Sequence, residues 1–436
     1  MIARKKSPIT SAYNPLCADL HFVLEMESDS SLDSFINFLM DTVYALRIRR
    51  DGQYLERHND LDKIPSFKFP KNINDSFSSL QDISGYFHGH YPLNFEEGYA
   101  AIASSPKGST RKYVALSLPH LFADGKYLTN LTDNFLNNNP KENNLNNLPD
   151  FPCEKYVEFK DYFAKGPSNI KNDVHDDKLT RFFSNDTENI VGGEYDQYIT
   201  LHFKAEELKN KTIQNNRVSI SNFTEALYMS NYFAICAHEN KLLKSYGVIN
   251  VIDLKRYLPR LTTFADGSEI SFVAPYTDNI TPEMSIIDVG KNIRKSLIQK
   301  LNNNEQFSTL NSREYNASLP KLNGIVTEFS NVGGFHIKKP IKNLAMSMFI
   351  KSMDRETCSN MGFSVIRDDF ESYSKEDRET MSQNDMVIRY RYSPRKLSMK
   401  ESTKIAKTIG YFLKNISLND QVGNAFDEIK QFYNSL

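Results

Sequence analysis

Residues 137–152 read NNNPKENNLNNLPDFP, the most biased segment of the chain. Asparagine and proline favour turns and offer no apolar face, so this stretch neither fills a core nor continues a helix. It therefore reads as a surface crossover that divides the chain. A length of 436 residues is also long for a single core, which calls for two domains or two lobes of one large fold. The boundary falls between about 140 and 190, since boundaries read from pattern are soft, and the chain divides into lobes 1–165 and 166–436.

Each side of the crossover mixes strands and helices. In residues 19–27, DLHFVLEME, Leu20, Phe22, Leu24 and Met26 alternate with a more polar set, as a half-buried strand requires. Ser30 or Ser31 can cap the helix that follows. There Leu32, Phe35, Ile36, Leu39, Met40 and Val43 recur at helical spacing. GYAAIASSP and RKYVALSLP form a hairpin or neighbouring strands. After the crossover, QYITLHF alternates as a strand, and Ser221 is a cap for a long amphipathic helix through residue 240. YGVINVIDL, GIVTEF, LAMSMFI and DMVIRYRY read as strands, while SIIDVGKNIRKSLIQKL and KESTKIAKTIGYFLKNI read as helices. This is an α/β (α+β) pattern without the βαβ rhythm of a doubly wound sheet.

Apolar residues make up 40% of the chain, enough for two cores. Runs such as YFAICA fall far short of the roughly 20 residues of a spanning helix. The basic start MIARKKSPIT leads into polar sequence without the apolar stretch of a secretory signal, so a soluble, cytoplasmic protein is expected. Cys17, Cys153, Cys236 and Cys358 lie far apart and form no CxxC pair, which fits buried thiols. With 53 basic and 54 acidic residues the formal net charge is −1, and nothing attracts nucleic acid or an anionic membrane. RIRR at 47–50 reads as a solvated helix end, favoured there by the helix dipole.

Chemistry centres on residues 114–131, VALSLPHLFADGKYLTNL, which run from a strand into a helix carried by Tyr127, Leu128, Leu131, Phe135 and Leu136. His120 ends the strand, and Asp124 and Gly125 follow four and five positions on. An imidazole titrates near neutrality and suits general-base work on a hydroxyl or amine. The same hexad also describes a histidine at a strand end followed by an Asp-Gly turn, and by itself it does not separate the two. Other candidates are poorer. His88 and His90 would share one side of a strand, but no third ligand at suitable spacing completes a metal site. No GxGxxG or P-loop is present. FADG recurs at 264–267 without a histidine four positions before Asp266, and His21, His58, His175, His202, His238 and His336 stand alone.

The hexad resembles the HxxxDG signature of the CoA-dependent acyltransferase superfamily. That superfamily includes chloramphenicol acetyltransferases, plant BAHD acyltransferases, fungal alcohol acetyltransferases, mycobacterial polyketide-associated acyltransferases and the condensation domains of nonribosomal peptide synthetases. Companion stretches fall in the family's order over nearly the whole chain. DLHFVLEM resembles the first strand, SISNFTEALYMSNYFAI the helix opening the second lobe, and VIDLKRYLP the Asp-x-x-Arg stretch at 253–256. TEFSNVGGF at 327–335 is similar to the Ser-Asn-x-Gly stretch of the alcohol acetyltransferase and condensation-like branches, and DMVIRYRYSP to the closing strand.

The resemblance implies two chloramphenicol-acetyltransferase-like lobes, each a mixed sheet with flanking helices, and a tunnel between them. It implies that His120 is the general base, that Asp124 orients the loop through a salt bridge with Arg256 as a candidate partner, and that Gly125 permits the turn. Ser330 and Asn331 are the nearest matches to oxyanion donors, and the same SNVGG stretch reads equally well as a strand-ending turn. The implied reaction is O-acyl transfer from an acyl-CoA co-substrate, acetyl-CoA first among them, with no bound cofactor or metal. An amine acceptor and a non-catalytic, condensation-like binding protein are the alternatives. A monomer is expected, with peripheral membrane association if the acceptor is a lipid. Three features depart from relatives. Pro119 replaces the first of two adjacent histidines, the DFGWG motif is missing in a chain with no Trp, and no carrier-protein segment is fused.

Overall fold

The computed structural model describes residues 4–5, 18–51, 54–57, 60–71, 73, 77, 79–91, 100–120, 122–137, 160–172, 175–214, 217–257, 270–351 and 357–436. Two large mixed sheets with flanking helices make up an α/β fold. The strands that build them are β1 (Ala18–Met26), β2 (Ser66–Lys68), β3 (Ala101–Ser104), β4 (Lys112–Pro119), β5 (Gln197–Lys204), β6 (Ile249–Asp253), β7 (Ile270–Val273), β8 (Val326–Ile337), β9 (Ile341–Ile350), β10 (Thr357–Arg367) and β11 (Asn384–Tyr392). The main helices are α1 (Asp29–Thr42), α2 (Leu80–His90), α3 (Gly125–Leu136), α4 (Phe223–His238), α5 (Ile286–Asn302), α6 (Met399–Asn415) and α7 (Val422–Ser435).

The five-stranded sheet has the order β9-β1-β4-β3-β2, and the six-stranded sheet β7-β6-β8-β10-β11-β5. Strand β9 belongs to the second half of the chain but pairs antiparallel with β1, from Ile350 opposite Ala18 to Ile341 opposite Met26. The division at residue 165 is thus crossed by one strand. Side chains of the six-stranded sheet seal the outer edge of β9. Arg367 Nε donates to the Lys342 carbonyl at 3.3 Å, and Arg389 Nη1 reaches the Met346 carbonyl at 3.5 Å.

The expected half-buried strand β1 is covered on both faces. Leu20, Phe22, Leu24 and Met26 join the core under α1 and α3. Val23 packs with Ala115, Ala345 and Phe87 beneath α2, which leaves His21 and Glu25 buried as well. Caps also differ from expectation. Ser28, not Ser30 or Ser31, caps α1, because its hydroxyl and that of Ser31 exchange backbone hydrogen bonds in a capping box. Helix α4 starts after Asn222, whose φ of 49° leaves Ser221 outside, and it is buried from Glu225 to His238 instead of presenting a polar face. It is the central helix of the second core, with α5, α6 and α7 packed around it.

Three further expectations change. Arg47 is buried: its Nε and Nη2 donate to the Met40 carbonyl at 3.1 and 2.8 Å, so it closes the end of α1 from inside the core. His88 and His90 lie on α2, not on a strand. His88 stacks on Phe349 with ring centroids 4.1 Å apart, and burial holds its pKa below the ordinary value. No cluster of metal-ligating side chains exists among the described residues. Finally, SNVGG does not end a strand but continues β8 through a bulge. Cys236 and Cys358 are buried free thiols, and burial pushes the Cys236 thiol up to about 12. Cys17, Cys153, His58, the Asn-rich crossover 138–152 and the FADG at 264–267 lie outside the described residues. No helix among the described residues is long and apolar enough to cross a membrane.

Candidate functional site

Strand β4 carries the chain between β1 and β3 to Pro119, and the His120 amide still bonds the Ala18 carbonyl at 2.8 Å. The chain then turns, with Phe122 N donating to the Pro119 carbonyl at 2.9 Å. The imidazole folds back over this turn, and His120 Nδ1 lies 2.8 Å from the Ala123 carbonyl. A carbonyl only accepts, so Nδ1 carries the proton and Nε2 is the basic nitrogen of the half-buried ring.

Asp124 is 5% exposed and caps α3, its Oδ1 accepting from Tyr127 N at 2.7 Å. The carboxylate therefore fixes where the helix starts and holds the loop that bears His120. The ion pair of Arg256 runs to Asp253 at 3.6 Å, from a side chain that is 76% exposed.

Gly125 opens α3, and its role is close approach. A Cβ at this position would lie 2.4 Å from Val332 Cγ1 and 2.8 Å from Cγ2. The structure thus brings the HxxxDG loop of the first lobe against the SNVGG stretch of β8. There β8 parts from β6, whose pairing ends at Asn250 opposite Phe329, and keeps β10 as its neighbour. Thr327 and Phe329 face α4, so by alternation Glu328 and Ser330 face the other side. Asn331 has the opposite parity, and its Oδ1 accepts from Gly333 N at 3.0 Å. Of the two expected donors, Ser330 shares the face of Val332 and Asn331 does not.

Glu328 also lines a cavity of about 380 Å³ between β6, β7, β8, residues 170–172 and 175, and side chains from Ser308 to Ala317. Ile249, Phe272 and Ala317 supply apolar wall, Lys171, His175 and Arg313 add basic groups, and Glu305 joins Glu328 as an acidic one. The strap over it is stitched by side chains. Asn316 Nδ2 donates to the Ile170 carbonyl at 2.9 Å, and Asn311 Nδ2 to the Phe163 and Gly166 carbonyls at 2.6 and 2.8 Å. Within this size a small molecule or the arm of a larger one fits.

Asp19 was not singled out in the sequence, yet it faces Pro119 in register, one residue from His120. Burial raises its carboxyl from the ordinary 3.8 to about 7, with Lys351 pulling the other way, and its Oδ1 is buried without a hydrogen-bond partner among the described residues. The folded chain holds this proton over a range where the unfolded chain releases it, so this group's contribution to stability falls as pH rises from about 4 to 7. Asp19→Asn should stabilise the protein by a few kcal/mol at pH 8 and by nothing at pH 4. Thermal melts at the two pH values check this, and an equal effect at both would contradict it.

The fold has known counterparts, although no family model matches the sequence and no curated protein does. The first condensation domain of the calcium-dependent antibiotic synthetase, solved with a substrate analogue, aligns with TM-score 0.60 at 11% identity, covering 97% of this chain and 98% of that one. A mutant starter condensation domain of rhizomide synthetase, in complex with C8-CoA, aligns with TM-score 0.60 at 8% identity, over 97% and 96%. Polyketide synthase associated protein 5 from Mycobacterium tuberculosis aligns with TM-score 0.53 at 10% identity, over 91% and 94%. The chain therefore has the two-lobed condensation-domain fold. Fold at such identity does not fix a reaction, which has to be argued from the site.

Two features of the site lay beyond the sequence reading. Alternation from Ser330 back to Glu328 was available as a signal for the cavity face. Nothing in the sequence marked Val332 as the partner of Gly125, because that contact joins strands and helices far apart in the chain.

Proposed function

We propose that the protein is an acyl-CoA-dependent O-acyltransferase of the alcohol acetyltransferase kind. The observation that carries this reading is the tautomer of His120, whose Nδ1–H is spent on the Ala123 carbonyl. Nε2 takes the proton of an acceptor hydroxyl as its oxygen bonds to the thioester carbonyl carbon. The tetrahedral oxyanion then accepts from Ser330 and from β8. Its collapse breaks the carbon–sulfur bond, and the departing thiolate of CoA takes the proton from Nε2. Each partner arrives intact and no group is left on the enzyme. Asp124 and Gly125 hold the loop and touch neither substrate.

The C8-CoA held by the rhizomide synthetase domain favours CoA as the handle of the donor. The cavity beside Glu328 would take the pantetheine arm along its apolar wall, with Arg313 in its lining meeting phosphate. Arg313→Glu should then raise KM for acyl-CoA about tenfold, a change of about 1.4 kcal/mol, and leave kcat unchanged. An unchanged KM would take the arm out of this cavity.

The reaction itself is tested by thiol release from acetyl-, hexanoyl-, octanoyl- and palmitoyl-CoA against mixed alcohols and amines, with mass spectrometry of the product. An ester supports the proposal, and an amide moves it to an amine acceptor. Release of no thiol from any donor points to a binding protein on the same fold.

A further inference from the structure

Val332 belongs to the sheet of the second lobe, but its side chain joins the core of the first. It reaches that core by the alternation that runs on from Ser330, at the point where β8 bulges. Ser330 and Asn331 oppose Met361 and Gly362 on β10, Gly333 opposes Phe363, and Val332 is the extra residue between them. Gly333 takes a φ of +93°, which glycine adopts at no steric cost, and its amide is fastened to Asn331 Oδ1. One inserted residue reverses the alternation. Ser330, in register with Met361, faces the first lobe before the bulge, Val332 faces it at the bulge, and Phe335 and Ile337 face it afterwards.

We propose that Val332 is a positioning residue, setting through Gly125 the gap between the His120 base and the oxyanion donors on β8. This rests on the acyl-transfer reading above. The chain of contacts is short. Gly125 follows Asp124, the cap of α3, and the Ala123 carbonyl just before it holds the imidazole. Whatever fixes Gly125 against β8 therefore fixes His120 against Ser330, which lies two residues before Val332 on the same face. Valine is a fitting spacer, since its branched side chain holds one χ1 rotamer where a longer chain would swing. The glycine and the valine form one complementary pair, so the size removed from one position can be restored at the other. The role assigned to Asn331 changes accordingly. Its side chain braces the bulge, and its contribution is the placement of Val332.

The test uses the full chain carrying Gly125→Ala, Val332→Ala, Val332→Ile or the double change Gly125→Ala/Val332→Ala. Displacing a reacting group by 1 Å costs about a hundredfold in rate, so Gly125→Ala should lower kcat for thiol release by about that factor with KM within about twofold. The double variant should regain at least about tenfold of the loss. In ¹⁵N-histidine spectra the imidazole signal of His120, identified by its disappearance in His120→Ala, should move in Gly125→Ala and return in the double variant. Melting temperatures separate misfolding from misplacement. Should Gly125→Ala fail to fold, the two single changes at Val332 should each lower kcat and shift that signal in a folded protein.

The proposal is overturned if the double variant is no faster than Gly125→Ala, or if Val332→Ala and Val332→Ile match the wild type in kcat and in the His120 signal. A wild type that releases no thiol defeats the acyl-transfer reading instead. The imidazole signal then decides the positioning claim by itself, and a signal unmoved by Gly125→Ala and by both Val332 changes defeats it.

Discussion

Replacing His120 with alanine should lower acyl transfer about 10²–10⁴-fold, the range that a positioned general base supplies. Stability should change little, because the ring is only half-buried and the Asp124 cap, not the imidazole, fixes where α3 starts. His120→Gln is the sharper variant, since an amide can keep a bond to that carbonyl but cannot take a proton at the other end. If both variants lose transfer by the same factor while melting with the wild type, the basic nitrogen is what matters. Full activity in His120→Ala would sink the mechanism, because Asp124 is committed to capping α3 and Asp19 faces Pro119 across the sheet.

The second large effect concerns the seam between the lobes. Arg367 is fully buried and donates to Asp385 Oδ2 at 2.7 Å, to the Ser382 carbonyl at 2.8 Å, and to Asn343 Oδ1 at 3.0 Å on β9. Arg367→Met should cost about 3–5 kcal/mol at neutral pH, because it leaves a buried carboxylate without its cation. Burial pushes the Asp385 carboxyl up, but His202, Arg367 and Ser382 together outweigh burial and hold it below the ordinary range. A depressed carboxylate stabilises the fold above its unfolded pKa, and that contribution is lost as pH falls through its folded pKa. In the variant Asp385 should take up a proton more readily, so the deficit should shrink toward pH 4. Melts of wild type and Arg367→Met across pH 4–8 check this. A deficit that does not change with pH would show that packing, not charge, holds the seam.

Much of the architecture was legible in the sequence because alternation and helical spacing are local. Strand β1, the β3–β4 pair, α3 and the closing strand β11 fall where Leu20, Ile102, Leu131 and Ile388 signal them. What escaped depends on contacts far apart in the chain. The second face of β1 reads as polar through His21 and Glu25, and only α2 packing on it reveals that it is covered. Ser221 has the chemistry of a cap, but the left-handed backbone at Asn222 moved the helix start past it. In the site, the hexad was visible as a motif while the reason for its glycine was not. Gly125 reads as a turn residue, and it is the approach of Val332 from a strand two hundred residues away that excludes a side chain.

The crossing of β9 into the first sheet bears on how the chain is made. Ala18 meets its partner only when Ile350 has been synthesised. Until then β1 shows the growing chain an open edge, with unpaired amides and carbonyls along its length. The first lobe therefore cannot close before β9 is made, as an independent amino-terminal unit would. Strands β10 and β11 follow β9 in the chain, and their Arg367 and Arg389 then reach carbonyls on the edge of β9 that remains.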